Sequence, residues 1–317
     1  MKVSISFATI RAGWIENTFK ALGAQTLPHR DWELVFIDDW GDRGEEVEKL
    51  AKDNCVNLKY MQSKPYHWKS NRQLGNARNT GFIHSDGELI VFLDDYTWIP
   101  ETFLQRHWEI YRETRKAVIG RVRPVKYNSG PIKSLDGLEV MGEDERFTHL
   151  IKVRRREAPF PNLYAWFYTF NCSAPLASIV KVNGYDEEYD CTGEDDIDLG
   201  TRLMRTGMEF TYRTEPGITA YHMQHGGKLP INWGRWAGRA YLDSVSLREI
   251  NMPQRFRDDE VHKVPKELYG TKYDGSWGLL ERNARRLPWE VNQGYFSLKE
   301  ARENRVKYPV KEWRYGV

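Results

Sequence analysis

At 317 residues, 40% of them hydrophobic and 29% charged, the chain can bury one large α/β core or a core with a smaller appendage. A formal charge of +2 argues against nucleic acid or an anionic membrane being recognised by bulk charge alone. Cys55, Cys172 and Cys191 include no Cys-x-x-Cys pair, so zinc and redox centres have no signal and a reducing, cytoplasmic setting is expected. No run approaches the ~18 apolar residues of a membrane span, and the first residues lack a secretory signal's apolar stretch; peripheral membrane contact stays open.

In chain order, "VSISFAT" and "WELVFIDD" read as strands, and between them "GWIENTFKALGAQTL" sets Trp14, Ile15, Phe19 and Leu22 at helical spacing. "GEEVEKLAKDN" reads as a helix before the short strand "VNLKYM", and "NRQLGNARNTGFIHS" as a helix leading into the strand "GELIVFLDD". Strands alternating with helices of this length imply right-handed crossovers and a parallel sheet. Residues 125 to 160 carry few periodic signals and read as a long functional loop or lid. "LYAWFYTFNCSAP" follows as an aromatic strand, "LASIVKVNGYDEEYD" as a short helix and turn, and "CTGEDDIDLGTRLMRTG" as a helix with carboxylates at its positive end and a glycine stop. The strand "GITAYH" precedes "MQHGG", and the remainder reads as a mostly helical C-terminal extension.

Ligands of open parallel sheets bind beyond the carboxyl ends of the strands. Asp38 and Asp39 stand at one such end and Asp94 and Asp95 at another, while Glu194, Asp195, Asp196 and Asp198 crowd the start of the later helix. Each strand end alone could be a turn cap, but two in one sheet favour a polar ligand. Carboxylates suit hard cations such as Mg²⁺ or Mn²⁺, and Arg78, whose helix precedes the strand ending at Asp94, suits a phosphate. His222 and His225 follow a strand and are candidate ligands, with His222 preferred as nearer the strand end. For Trp166, Tyr168, Trp233 and Trp236 core filling outweighs an acceptor platform, and "KVRRRE" reads first as a solvated charge run.

From residue 3 to about 225 the chain resembles the GT-A glycosyltransferases, in particular family 2. The stretches that carry the resemblance are "VSISFATIRAGWIENTFKALGAQTL", "ELVFIDDWGD", "GNARNTGFIHSDGELIVFLDDYTWIP", "FNCSAPLASIVKVNGYDEEYD" and "GEDDIDLGTRLMRTG", in the family's order. The resemblance implies an α/β GT-A (Rossmann-like) nucleotide-sugar transferase fold, with a mostly parallel central sheet flanked by helices. It implies a domain over 1–228, divided into a nucleotide-binding half (1–124) and an acceptor half (125–228), with 229–317 as the extension. Thr9 and Arg11 would border the nucleotide, Asp38 and Asp39 the base, Arg78 the diphosphate, and Asp94 the ribose and metal region. Glu194 and Asp195 would sit at the acceptor, with Asp195 as catalytic base. A divalent metal, Mn²⁺ or Mg²⁺, would be held by Asp94, Asp95 and His222, although Tyr96 stands where the family places its second metal aspartate. The donor would be a nucleoside-diphosphate sugar, UDP-sugars being favoured, and the reaction inverting. The acceptor stays open among a glycan, a lipid-linked sugar, a protein and modified nucleic acid. The rival readings are a sugar-1-phosphate nucleotidyltransferase, whose glycine-rich first loop "SFATIRAGW" lacks, and a non-catalytic sugar-nucleotide or glycan-binding protein.

Overall fold

The computed structural model describes residues 1–64, 74–126, 138–156, 162–185, 194–223 and 298–316. Its first half follows the alternation read from the sequence. Strands β1 (Val3–Thr9), β2 (Trp32–Asp38), β3 (Leu58–Met61) and β4 (Leu89–Phe92) are separated by helices α1 (Ile15–Gly23), α2 (Gly44–Asp53) and α3 (Leu74–His84). β1 pairs in parallel with β2 on one side and β4 on the other, and β3 continues the parallel run beyond β2. All seven residues of β2 are buried, as expected for a strand covered on both faces.

After β4 come β5 (Thr97–Trp98), α4 (Phe103–Thr114), β6 (Ala117–Gly120) and β7 (Val122–Lys126). β8 (Glu139–Val140), α5 (Glu145–Arg154), β9 (Cys172–Pro175) and α6 (Leu176–Lys181) follow, then α7 (Glu194–Arg205), β10 (Phe210–Arg213) and β11 (Ala220–Met223). The main sheet has eight strands in the order β10-β6-β9-β4-β1-β2-β3-β12, where β12 is Lys311–Trp313. β9 runs antiparallel to both β4 and β6, so the sheet is mixed rather than uniformly parallel. A smaller sheet, β5-β11-β7-β8, lies alongside. Among the described residues no helix is long and apolar enough to cross a membrane.

Two apolar clusters form the core. One joins β1, β2 and β4 to α1 and α4 through Ile5, Phe19, Phe36, Val91 and Phe103. The other joins α3 and β9 to α7 through Phe82, Phe92, Phe167, Leu199 and Leu203.

Helix α3 is buried on all sides, Arg78 and Asn79 included. At Gly81 an added Cβ would come within 2.8 Å of Ile37 Cδ1, so the missing side chain lets α3 approach the sheet.

Three segments differ from the sequence reading. "LYAWFYTFNCSAP" is a strand only over Cys172–Pro175, and its first residues, Leu163–Trp166, form a short 3₁₀ helix. The stretch 125 to 160 is not a plain loop: it contributes β7, β8 and α5, the last capped where Asp144 accepts a hydrogen bond from Phe147 N at 2.9 Å. The end of the chain returns to the domain through α8 (Leu298–Glu303) and the edge strand β12, antiparallel to β3. Arg302 of α8 donates to the carbonyls of Phe82 and Ser85, the latter at 2.9 Å, which satisfies acceptors at the C-terminal end of α3. The expected extension otherwise falls on 224–297, outside the described residues, as do His225, Trp233, Trp236 and Cys191.

Candidate active site

In the strand order 3-2-1-4 the connection reverses between β1 and β4, and the crevice beyond their carboxyl ends is where such a sheet receives a ligand. Thr9 closes β1, Arg11 follows it, and Asp94 and Asp95 follow β4, so four of the residues singled out in the sequence meet at this crevice. Asp95 is buried and fully engaged by its neighbours. Thr9 Oγ1 donates to Oδ2 at 3.0 Å, and Arg11 donates from Nε to Oδ2 at 3.0 Å and from Nη2 to Oδ1 at 2.5 Å. Asp94 differs: its side chain keeps 35% of its exposure.

Tyr96 sits in the left-handed region with φ 61°, where a bulky residue is uncommon and signals a constraint. Its ring lies 5.2 Å from the Arg11 guanidinium and 5.5 Å from the Trp14 ring.

Asp38 and Asp39 stand across β1 from this pair. Asp38 is fully buried and grips Arg43 in a two-point ion pair, from Nε to Oδ2 at 2.9 Å and from Nη2 to Oδ1 at 2.8 Å. Tyr60 donates to the same carboxylate at 3.1 Å. Burial, helped by the Asp38 carboxylate and opposed by the hydrogen bond from Arg43 N, pushes the Tyr60 hydroxyl up to about 12, so it stays a donor at neutral pH. Asp39 points outward and accepts from Ser63 N at 2.9 Å and Ser63 Oγ at 2.5 Å. Loss of solvent raises its carboxyl above the ordinary value, against the Ser63 hydrogen bonds.

The later helix reaches the crevice through Arg78. Its Nη1 donates to Asp195 Oδ2 at 3.0 Å and to Asp196 Oδ1 at 3.1 Å, while Nη2 lies 3.6 Å from Asp94 Oδ1. Burial disfavours this cation, but the negative groups around it outweigh that cost and hold its pKa well above the ordinary value. Glu194 opens α7, and Asp195 and Asp196 follow in its first turn.

The two adjacent acids differ in their surroundings. Asp196 also accepts from Thr169 Oγ1 at 2.8 Å and from the Tyr185 hydroxyl at 3.0 Å. Burial pushes its carboxyl up, and Arg78 with the Thr169 hydrogen bonds opposes that shift. Asp198, one turn further on, is occupied elsewhere in a buried pair with Arg202 at 2.7 Å.

Four partners here were not singled out from the sequence. Thr169 and Tyr185 fix Asp196, and the Asn79 side-chain amide fixes the Tyr185 backbone, its Oδ1 accepting from Tyr185 N at 2.8 Å and its Nδ2 donating to the Tyr185 carbonyl at 2.9 Å. The signal for Tyr185 is the "NGY" turn, in which Asn183 and Gly184 take φ of 66° and 69° and aim the following ring beneath Arg78, 5.1 Å from its guanidinium. The fourth, Arg43, lies five residues after the acid it holds.

His222 reaches the same place from the smaller sheet. It pairs with Thr97 across β11 and β5, and Met223 N donates to the Tyr96 carbonyl at 2.9 Å, which ties β11 to the loop holding Asp94 and Asp95. Burial lowers the His222 pKa and Arg11 adds to that, while Asp94 and Asp95 oppose it.

The metal implied by the resemblance meets a donor set that does not fit it as folded. Asp95 has both oxygens turned to Arg11 and one shared with Thr9, and Tyr96 offers no carboxylate. Among the described residues no three His, Cys, Asp or Glu converge on a common point.

A sheet that reverses direction beside β1, acids at two strand ends and a buried arginine joining them to a later acidic helix make this crevice the candidate site of an α/β protein for a polar ligand. The sequence pattern of "Glycosyl transferase family 2" matches residues 8–174. The chain belongs to that family, and Asp195 lies beyond the matched stretch. It is 27% identical over 234 residues to validoxylamine A glucosyltransferase of Streptomyces hygroscopicus subsp. jinggangensis, a match covering 67% of this chain and 53% of that protein. It is 24% identical over 253 residues to chondroitin synthase of Escherichia coli, covering 73% and 35%. The chain thus spans about half the length of the first of these relatives and about a third of the second. The crystal structure of S. aureus TarS shares the fold at a TM-score of 0.53 and 13% identity, over 86% of this chain and 44% of that one.

Proposed function

We propose that the chain transfers a sugar from a nucleoside-diphosphate sugar, with UDP-sugars favoured as the family resemblance implies, to an acceptor hydroxyl with inversion. One observation carries this reading: the Arg78 guanidinium lies 3.0 Å from Asp195 at the start of α7 and 3.6 Å from Asp94 beyond β4. A single buried cation thereby joins the helix that would meet the acceptor to the strand end that would meet the donor.

The proposed step is a direct displacement. The acceptor oxygen attacks the anomeric carbon and its proton passes to the Asp195 carboxylate. The bond from that carbon to the diphosphate oxygen breaks on the opposite face, and its electron pair leaves with the nucleoside diphosphate. Arg78, expected at the diphosphate, is enclosed by Asp94, Asp195 and Asp196 and in this reading orients the Asp195 carboxylate, while Asp196, held by Thr169 and Tyr185, orients Arg78. Asp94, half-buried beside Arg78, borders the ribose, and the exposed Asp39 borders the base. No step here runs through a metal. Glu194 and the domain division at about residue 228 belong to the same reading, and the names of the two relatives support a saccharide acceptor.

The test is a panel of nucleotide sugars incubated with the full chain, with the nucleotide products separated by chromatography. Release of nucleoside diphosphate supports transfer. Release of pyrophosphate would instead indicate a nucleotidyltransferase.

A further inference from the structure

We propose that Arg11, seated on Asp95 and Tyr96, supplies the positive charge for the donor's diphosphate that a divalent cation would otherwise supply, so that nucleotide binding by this chain does not require metal. This rests on the nucleotide-sugar reading above and goes beyond it.

The argument starts from the order of exposure. In the Arg11–Asp95 pair the carboxylate keeps 4% of its side-chain exposure and the guanidinium 35%. A ligand entering the crevice between β1 and β4 meets the cation first, and the acid lies beneath it. The acid's two oxygens face Arg11 and Thr9, the arrangement of a seat for a guanidinium rather than of a metal ligand.

Tyr96 supplies the second part. At the position where the resemblance calls for another acid, its ring lies 5.2 Å from the guanidinium, and its positive φ turns it toward Arg11 and Trp14. Gly13, at φ 60°, lets the loop after β1 close on the same carboxylate; a Cβ there would stand 3.4 Å from Asp95 Cβ. Acid below, aromatic beside and loop above hold one planar fork at the switch point of the sheet. Such a fork matches phosphate oxygens in shape as well as in charge. Asp95 is thus a positioning residue, and Arg11 the group that touches the donor.

The experiment is calorimetric titration of UDP into the full-length protein, once in excess EDTA and once in Mn²⁺. The expected result is a dissociation constant that agrees between the two conditions to within about threefold. Arg11→Ala should weaken binding in EDTA by about tenfold or more, as loss of a charge-assisted contact does. Tyr96→Asp is the second variant. Asp tolerates the left-handed region better than Tyr, so this change keeps the fold while adding a carboxylate, and it should create a tightening by Mn²⁺ that the native chain lacks.

If native binding vanishes in EDTA and returns with Mn²⁺, or if folded Arg11→Ala binds UDP as tightly as the native chain, the arginine proposal is overturned and the transferase reading stands. If UDP, CDP, GDP and ADP all fail to bind under both conditions and the sugar panel shows no release, the transferase reading itself falls and takes this proposal with it.

Discussion

Strands β2 and β4 flank β1, and both run into the same spelling, an apolar pair followed by Asp-Asp, yet the two pairs fold in opposite senses. At the end of β2 the first acid, Asp38, is sealed by Arg43 and Tyr60 while the second, Asp39, faces outward to Ser63. Beyond β4 the first acid, Asp94, is open and the second, Asp95, is sealed by Arg11 and Thr9. The cause is register. β2 stays paired through Asp38, opposite Thr9, and is covered on both faces, so that side chain is buried with the strand; β4 stops at Phe92, and the chain has already turned by Asp94. At each strand end the sealed acid is the one gripped at two points by an arginine, whereas Asp39 meets Ser63 and Asp94 meets only Arg78 Nη2 at 3.6 Å.

The comparison can be broken most forcefully at Asp38. Asp38→Asn leaves Arg43 half-buried without its ion pair, and chemical denaturation should show a loss of about 3 kcal/mol. Asp94→Asn, by contrast, should shift stability by no more than about 0.5 kcal/mol, while nucleotide binding weakens. Equal stability losses at the two positions would erase the distinction.

A pH series probes the buried frame behind both ends. His84, at the end of α3, and His107, enclosed between Ser173 and Asn171, are pushed down to about 4, chiefly by burial. Both stay neutral in the folded chain where the unfolded chain, with an ordinary pKa of 6.5, takes up protons. The stabilisation is complete above pH 6.5 and is lost as pH falls toward 4, by roughly 3 kcal/mol per histidine. Denaturation midpoints measured across that window should fall, and His107→Gln should flatten the slope. A flat profile in the native chain would show that these rings do not resist protonation.

The smallest effect is expected at Asp39. Asp39→Asn should leave stability within about 0.5 kcal/mol of native and act on discrimination among nucleotide bases in the same titrations. A loss of stability as large as that of Asp38→Asn would place its carboxylate in the frame rather than at the ligand.

Much of this architecture is legible in the residues, and the illegible parts share a cause. The strand and helix alternation of the first hundred residues is written in local periodicity, and so is the acidic start of α7. The Arg43–Asp38 pair spans five residues and could have been read from spacing. Arg11–Asp95 and Arg78–Asp195 join residues 84 and 117 positions apart, and only the sheet order brings them together. Helix α5 escapes because "ERFTHLIKVR" has a weak apolar stripe and is started by a single capping residue, Asp144. Strand β12 escapes because three residues at a sheet's edge carry too little pattern, and "KEW" is charged on its solvent side, as edge strands commonly are. Tyr96 was visible as a departure from the family's pattern. That it faces an arginine was not, because the positive φ that turns it there leaves no mark in the sequence.

The central claim, that Asp195 takes the acceptor's proton at a site which binds its donor separately, is tested most directly by Asp195→Asn. Asparagine keeps an acceptor oxygen for Arg78 and cannot serve as the base. In parallel assays of sugar transfer and UDP titration, transfer should fall by at least about a hundredfold while the UDP dissociation constant stays within about threefold of native. Unchanged turnover in the folded variant would contradict the assignment.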